Sequence, residues 1–378
     1  MIKQWRRMSD ARSVPSKVMY LTVLPFYRQK CIESLLTQAE DRVCIYAGPR
    51  QLTASVTTGI SPDLYRPLKA FFLFDRVIVL RDHWADAIRA ESLMVDLNPR
   101  CASAWAMLAI RKVLGRRTLV WGHLFPRAGA GSWTARLRRF MRSLANGTVL
   151  YGFDSVVPAR QDLPEQPVWV APNALYSRDV LGPCISKSAP SSVIYVGRLV
   201  PEKKVDLLIQ GFALAARNID TARLKIVGQG SDLASLKTLA NDLGCGDRIS
   251  FLGPITETEK LERVYADALC SVSPGYVGLS LTQSLGFGVP MLIADNEPHA
   301  PEVELERFGG VLRFTEDDPS SLGALLQKVY LKEVEFPSAK ELARPIQANY
   351  SAESMAMGLL DSLAGTPQDL DDTGWPRS

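Results

Sequence analysis

The sequence predicts an α/β protein built from two doubly wound domains. Three observations carry that reading. Length is the first: 378 residues exceed one ordinary core and suit two domains of about 150–200 residues. The second is alternation, because short β-branched runs and amphipathic segments follow one another and imply βαβ units with a parallel sheet. The third is a break in character between Gln161 and Ser192, where five prolines, with Pro158 just upstream, surround short extended pieces.

In the first half, Lys17–Val23 reads as the opening strand, and Arg42–Tyr46, Arg76–Leu80 and Thr118–Trp121 as further strands. Ala102–Val113 and Trp133–Leu144 carry helical patterns. The second half is more regular. Strands are expected at Ser192–Val196, Leu224–Val227, Ile249–Leu252, Leu269–Ser273 and Met291–Ala294. Helices are expected at Val205–Ala216, Leu233–Leu243 and Leu279–Gly286, with Thr256–Glu259 as a capping box opening one more. Ser320–Leu331 and Ala352–Leu363 close the chain as amphipathic helices. The divisions expected are an N-terminal domain 1–176, a linker 177–191, a C-terminal domain 192–350 and a flexible tail 365–378.

Composition narrows the class. An apolar fraction of 47% with 22% charged residues is that of a globular enzyme, and a net charge of +4 does not argue for nucleic acid. Six cysteines without CxxC spacing fit reduced thiols in a cytoplasmic protein. Three histidines are too few for a His-rich metal centre. Residues 1–12 show no apolar signal region. Leu68–Leu80 is interrupted by Asp75 and Arg76 and falls short of the roughly 20 residues a spanning helix needs.

Two stretches carry candidate chemistry. In Val196-Gly197-Arg198-Leu199, followed by Pro201-Glu202-Lys203-Lys204, a strand ends in glycine and runs through a short loop into a helix start. Ligands of open α/β sheets sit off the carboxyl ends of strands, so Arg198 and Lys203 would bring two positive charges to one point beside helix N–H groups. That is a diphosphate site in outline; two solvated surface charges are the plainer alternative. In Ser273–Gln283, a strand enters a turn bearing Gly275 and Gly278 and passes straight into a helix. Those glycines allow close backbone approach, and the N–H groups from Gly278 through Leu279 to Ser280 would point at an anion. A tight junction that needs glycine only for its geometry is the alternative.

Taken with Ile226-Val227-Gly228-Gln229-Gly230, the runs VGRLVPEKKVDLLIQGF, LKIVGQGSDLASLKTLANDLGCGDRISFLG and SPGYVGLSLTQSLGFGVPML resemble the donor-binding domain of the GT4 family of GT-B glycosyltransferases. The resemblance spans residues 191–305, and three blocks match in order and spacing. It implies two Rossmann-like domains facing a cleft, with a last helix, 351–364, returning to the N-terminal domain. It also implies a nucleotide-diphosphate sugar as donor, with Arg198 and Lys203 holding the diphosphate. Gly197, Gly228, Gly275, Tyr276, Val277, Gly278, Leu279 and Ser280 would line the donor site.

The family carries two glutamates across this turn and helix, the first on the transferred sugar and the second on the ribose. Here those positions are Gly275 and Gln283. Gln283 can still hydrogen-bond ribose hydroxyls, whereas Gly275 cannot replace a carboxylate. Glu302 or Glu304 could supply one; exposed acids at a helix start are the alternative. A histidine presented to the donor sugar is common in the family, which implies His123, with His83 as its rival and a structural histidine as the alternative. Acceptor loops follow the first strand, which implies Tyr27 and Arg28, although the glycine-rich turn usual there is missing.

From Arg111 to Arg142 the chain has nine basic residues and no acidic one. Within it, Arg136, Arg138, Arg139 and Arg142 surround an apolar stripe on helix Trp133–Leu144. This is either a face that lies on an anionic membrane, where many relatives meet lipid-linked acceptors, or an ordinary solvated basic face. By resemblance, the chain is a retaining, hexosyltransferase-like enzyme of polysaccharide or glycolipid assembly, acting on a saccharide or lipid-linked acceptor. It is expected in the cytoplasm, peripheral to the inner membrane face, with no tightly bound metal or other cofactor and no nucleic-acid partner. A non-catalytic sugar-nucleotide-binding protein is one alternative. A nucleotide-dependent oxidoreductase is another, and it would need the glycine fingerprint that Val23–Gln29 lacks.

Overall fold

The computed structural model describes residues 15–39, 43–52, 56–184 and 189–377. Its contacts form two compact units: one runs up to Pro172 and resumes at Met355, and the other is Asn173–Ser354.

The first unit is built on β1 (Lys17–Leu21), β2 (Val43–Ala47), β3 (Arg66–Pro67), β6 (Ser92–Asp96), β7 (Arg117–Gly122), β8 (Gly147–Leu150) and β9 (Val168–Val170). They pair in parallel in the order β3-β2-β1-β6-β7-β8-β9. Their side chains are buried almost throughout, as parallel strands covered on both faces must be. Between strands run α1 (Gln29–Gln38), α2 (Trp84–Arg89), α3 (Ala102–Val113), α4 (Trp133–Leu144) and α5 (Val156–Asp162).

Arg76–Leu80 is not a strand of this sheet. It forms β5 (Val77–Leu80), paired antiparallel with β4 (Ala70–Leu73) in a separate hairpin. Phe74 and Asp75 have φ of 51° and 49°, and Arg76 N–H bonds Leu73 C=O at 3.0 Å. That is a type I′ turn, whose twist suits a hairpin.

In the second unit, β10 (Ser192–Val196), β11 (Arg223–Val227), β12 (Ile249–Gly253), β13 (Ala268–Ser273), β14 (Met291–Ala294) and β15 (Val311–Phe314) are all parallel, in the order β12-β11-β10-β13-β14-β15. This is the doubly wound order, with its switch point between β10 and β13. Successive residues of β10 serve opposite faces. Val193 and Tyr195 join a core with Leu208, Phe212, Leu224 and Leu322, while Ile194 packs with Leu261, Tyr265 and Phe287. The helices are α6 (Val205–Ala216), α7 (Leu233–Asp242), α8 (Thr258–Ala266), α9 (Leu279–Gly286), α10 (Pro319–Tyr330) and α11 (Ala339–Asn349).

Three expectations need correction. Residues 177–184 are no free linker: Gly182 and Cys184 donate backbone bonds to Gly286 and Phe287, and Gln347 donates to the carbonyls of Arg178 and Leu181. Residues 185–188 of that stretch lie outside the described residues. The tail is not frayed, because Trp375 is buried against Phe153 and donates to Asp154 at 2.7 Å. Thr256–Glu259 makes no capping box; α8 starts after Glu257, which makes no side-chain cap bond. The capping box belongs instead to Ser338 and Glu341 at the start of α11.

The last helix, α12 (Ala352–Ala364), passes from the second unit into the first at Met355. Arg117 holds its end by donating to the carbonyls of Ser362 (2.5 Å) and Leu363 (2.9 Å). A cation there satisfies orphan carbonyls and opposes the helix dipole.

Candidate functional site

Two loops leave the second sheet at its switch point. One follows β10 through Gly197 and Arg198 into a 3-10 turn, Pro201–Lys203. The other follows β13 through Pro274 and Gly275, and enters α9 after Gly278. The Lys203 ammonium joins the two, donating to Tyr276 C=O at 2.5 Å, with its nitrogen 5.2 Å from the Tyr276 ring centre. Arg198 is exposed and paired with Glu202 at 3.1 Å. Exposed pairs contribute about 0–1 kcal/mol, so Arg198 can exchange Glu202 for a stronger anion at little cost. The first N–H groups of α9 have no intrahelical acceptor by construction and favour an anion.

The glycines here have steric reasons. A Cβ at Gly275 would stand 2.5 Å from Glu202 O and 3.1 Å from the Lys203 backbone. Any side chain would push the two loops apart, so this position cannot hold a carboxylate in this geometry. Gly228, at φ 145°, meets the loop after β10 so closely that a Cβ would fall 1.8 Å from the Gly197 carbonyl oxygen. Gly197 and Gly228 are thus where two loops meet. Gln283 is buried: its Nε2 donates to Tyr176 Oη at 2.5 Å, and Tyr265 Oη donates to its Oε1 at 3.3 Å.

Glu302 and Glu304 are not exposed acids. They lie in a 3-10 helix, Pro301–Phe308, and only 2% and 7% of their surfaces are accessible. Glu302 accepts from Asn173 at 3.0 Å, and its other oxygen is 4.0 Å from where a Gly278 Cβ would sit. Tyr350 donates to Glu304. The sequence reading missed His299. Its Nδ1 accepts from Val277 N–H at 3.2 Å, and its Nε2 lies 2.8 Å from Ala294 O. Burial holds its pKa below the usual histidine value, so it is a neutral clamp on the glycine turn, with the proton on Nε2. The available signal was its place just beyond a strand, in Asp295-Asn296-Glu297-Pro298-His299.

At the carboxyl edge of the first sheet, His123 follows β7 and Tyr151 follows β8, their rings 4.7 Å apart and edge-on. Arg28 is buried, donates to Tyr151 Oη at 2.8 Å and lies 4.2 Å over Trp121. Tyr27 is half-buried, edge-on to the exposed Phe26. Burial, then the charges of Arg138, Arg28 and Arg127, push the His123 pKa down to about 3, so the ring is neutral. His83 stands elsewhere, stacked on Tyr46 and 3.5 Å from Asp86.

The membrane-facing expectation fails for two of its four arginines. Arg142 is fully buried, bonded to Thr148, Asp162 and the Ala159 carbonyl. Arg138 is half-buried and donates to His123 O at 2.8 Å. These two serve α4's inner face, because its packing partners offer oxygen acceptors. Arg136 and Arg139 are exposed, as are Trp133 (70%) and Phe140 (57%). Among the described residues, no helix is long and apolar enough to cross a membrane. Among them also, no group of three or more His, Cys, Asp or Glu side chains is placed to hold a metal ion.

The family model of glycosyl transferases group 1 matches residues 186–351, which lie within the second unit. The chain is 33% identical over 120 residues to a GDP-mannose-dependent alpha-(1-6)-phosphatidylinositol monomannoside mannosyltransferase of Mycobacterium tuberculosis, covering 29% of this chain and 31% of that protein. Over 144 residues it is 35% identical to a D-inositol 3-phosphate glycosyltransferase of Mycobacteroides abscessus, covering 35% and 31%. It matches 17% of the length of an exopolysaccharide phosphotransferase of Streptomyces coelicolor at 28% identity, so the chain spans a third or less of these curated relatives.

Solved structures extend the likeness over the whole fold. Anabaena HepE in complex with UDP has a TM-score of 0.68 at 11% identity, covering 92% of this chain and 100% of that one. The lipopolysaccharide outer core galactosyltransferase WaaB in its apo form has 0.64 at 13%, covering 92% and 99%. The fold is therefore the two-domain α/β fold of GT-B glycosyltransferases, its second unit is similar to glycosyl transferases group 1, and the comparisons point to a transferase.

Proposed function

We propose that the chain transfers a sugar from a nucleotide-diphosphate donor to a saccharide or lipid-linked acceptor, with retention of configuration, as a GT4-type enzyme of polysaccharide or glycolipid assembly. The observation that carries this reading is the meeting of the Arg198–Lys203 turn with the Gly275–Gly278 turn at the switch point, inside the segment that matches the family. Arg198, Lys203 and the first N–H groups of α9 hold the diphosphate and stabilise the charge that develops on it as the sugar leaves, so no tightly bound metal is needed for neutralisation. The acceptor hydroxyl attacks on the leaving-group face and gives its proton to a donor phosphate oxygen. Glu302 brings a buried carboxylate beside Gly278, in the turn where Gly275 lacks one. His123 is a neutral hydrogen-bonding group rather than a cation.

Nucleotide release from a panel of nucleotide sugars, with and without lipid-linked acceptors, tests the reading. Acceptor-dependent release with the anomeric configuration kept supports it; release from none of them, by a folded chain, removes it. The exposed Trp133, Arg136, Arg139 and Phe140 support a narrower membrane reading, in which this end of α4 touches an anionic leaflet. Co-sedimentation with anionic liposomes should fall in an Arg136→Ala/Arg139→Ala variant, and equal sedimentation removes that part.

A further inference from the structure

The hairpin of β4 and β5 departs from the pattern of an antiparallel pair on a protein surface. Such a pair is apolar toward the core and polar toward water. Its inner side chains, Phe72, Ile78 and Leu80, join a core with Ala104 and Met107. The outer side chains are apolar as well. Phe71 stands opposite Val79 and Leu73 opposite Val77, and both Phe71 and Leu73 are exposed. Phe74 extends this face at the turn, 93% exposed and held at a φ of 51°. A bulky aromatic is strained in that region, and such strain gathers at functional places.

Charges on the hairpin are sorted by position. Arg81 N–H bonds Lys69 C=O at 2.8 Å, so these two residues face each other at the base. Alternation puts both side chains on the outer face, and Arg81 lies 5.2 Å over the Phe71 ring. Like charges directly opposite repel, and neither cation has an ion-pair partner among the described residues. Asp75 stands at the far end, exposed beside Phe74 in the turn. Arg76 at the tip and Asp82 at the base repeat the arrangement with signs reversed.

We propose that this face docks on the same face of a second copy of the chain, the two hairpins running antiparallel about a two-fold axis. Such pairing is independent of the glycosyl-transfer reading, whose donor turns lie in the second unit. The axis sets each tip against the other copy's base. Asp75 of each copy then neutralises Lys69 and Arg81 of the other, Arg76 meets Asp82, and the outer apolar side chains leave water together. A bilayer suits the face less well, because Asp75 would enter the hydrocarbon with Phe74.

The hairpin is fixed in place for docking. Ile78 N–H donates to Arg100 C=O at 2.7 Å, and Leu80 exchanges bonds with the Ser103 hydroxyl at 2.8 and 2.9 Å. Four residues per strand make the face only about 13 Å long. That is less than a standard interface, so the dimer is weak and dissociates on dilution.

Sedimentation equilibrium of the full chain, from about 1 µM upward, tests this. Mass should rise with concentration toward that of two chains. Phe74→Asn removes the aromatic yet suits a positive φ, so the fold holds while the dimer's dissociation constant rises about tenfold or more. Asp75→Lys should weaken pairing about as much, and so should Lys69→Glu/Arg81→Glu. Mixing those last two proteins should restore association, because each supplies the sign that the other lacks. A wild type that stays monomeric overturns the proposal, and one that then binds liposomes through Phe74 assigns the face to a bilayer. A dimer unchanged by Phe74→Asn overturns it too, as does a mixture that associates no better than its components.

Discussion

Lys203 and Tyr276, 73 positions apart in sequence, are joined by a hydrogen bond from ammonium to carbonyl at 2.5 Å. That bond ties the loop leaving β10 to the loop leaving β13, and places a cation beside the start of α9. Nearby, Gly275 closes the same junction by having no side chain. The close junction of the two loops and the lack of room for a carboxylate at Gly275 are therefore one structural fact.

Restoring a side chain at Gly275 should harm rather than help. Gly275→Ala places a methyl group 2.5 Å from a backbone oxygen, and overpacking of this kind costs about 1–3 kcal/mol. Gly275→Glu should be worse, and should not raise transfer activity. Urea unfolding of both variants checks this; an unchanged midpoint in Gly275→Ala speaks against the close contact.

Gln283→Ala should strip Tyr176 and Tyr265 of a shared partner inside the second unit. Leaving buried polar groups unpaired costs about 1–3 kcal/mol. If Gln283 acts only on the ribose, stability stays constant and nucleotide affinity alone falls, so unfolding and titration together separate the two roles.

Acid should destabilise the fold through its depressed histidines. His123 titrates near 6.5 when unfolded and about 3 when folded, and His299 shifts the same way. Below pH 6.5 the unfolded chain takes a proton that the folded chain refuses, so this stability is fully present above 6.5 and is lost as the pH falls toward 3. Urea midpoints should drop from pH 7 to pH 5, and less steeply in His123→Gln. Identical slopes for the two chains contradict the shift.

Arg117→Ala should loosen α12. Charge-assisted bonds to two helix-end carbonyls are lost, each worth about 1.5–3 kcal/mol, and hydrogen exchange at 355–364 should quicken. Unaltered exchange there shows the helix end is held by other contacts.

Five of the second unit's six strands were legible, because each is a short apolar run that ends at a glycine or polar loop; β15, Val311–Phe314, was not read. Arg198, Lys203 and Gly278 lie at strand ends, so sequence position alone brought them together. The first unit was less so. β6, Ser92–Asp96, is five residues inside a loop-like context and was missed. Arg138 and Arg142 looked like a surface face because charge pattern does not reveal that α4 turns them inward toward oxygen acceptors. Trp375 misled in the same way: a polar, Pro- and Gly-rich stretch can still be anchored by one buried indole. Glu302 and His299 reach the Gly275–Gly278 turn through tertiary contact, which spacing does not encode.

The account rests most directly on Lys203 binding the donor's diphosphate. Titration of wild type and Lys203→Ala with UDP, GDP, ADP and TDP measures it. At least one nucleotide should bind the wild type, and the variant should bind it about tenfold more weakly or worse, the worth of one charge-assisted contact. Equal affinity in the two proteins would contradict the account.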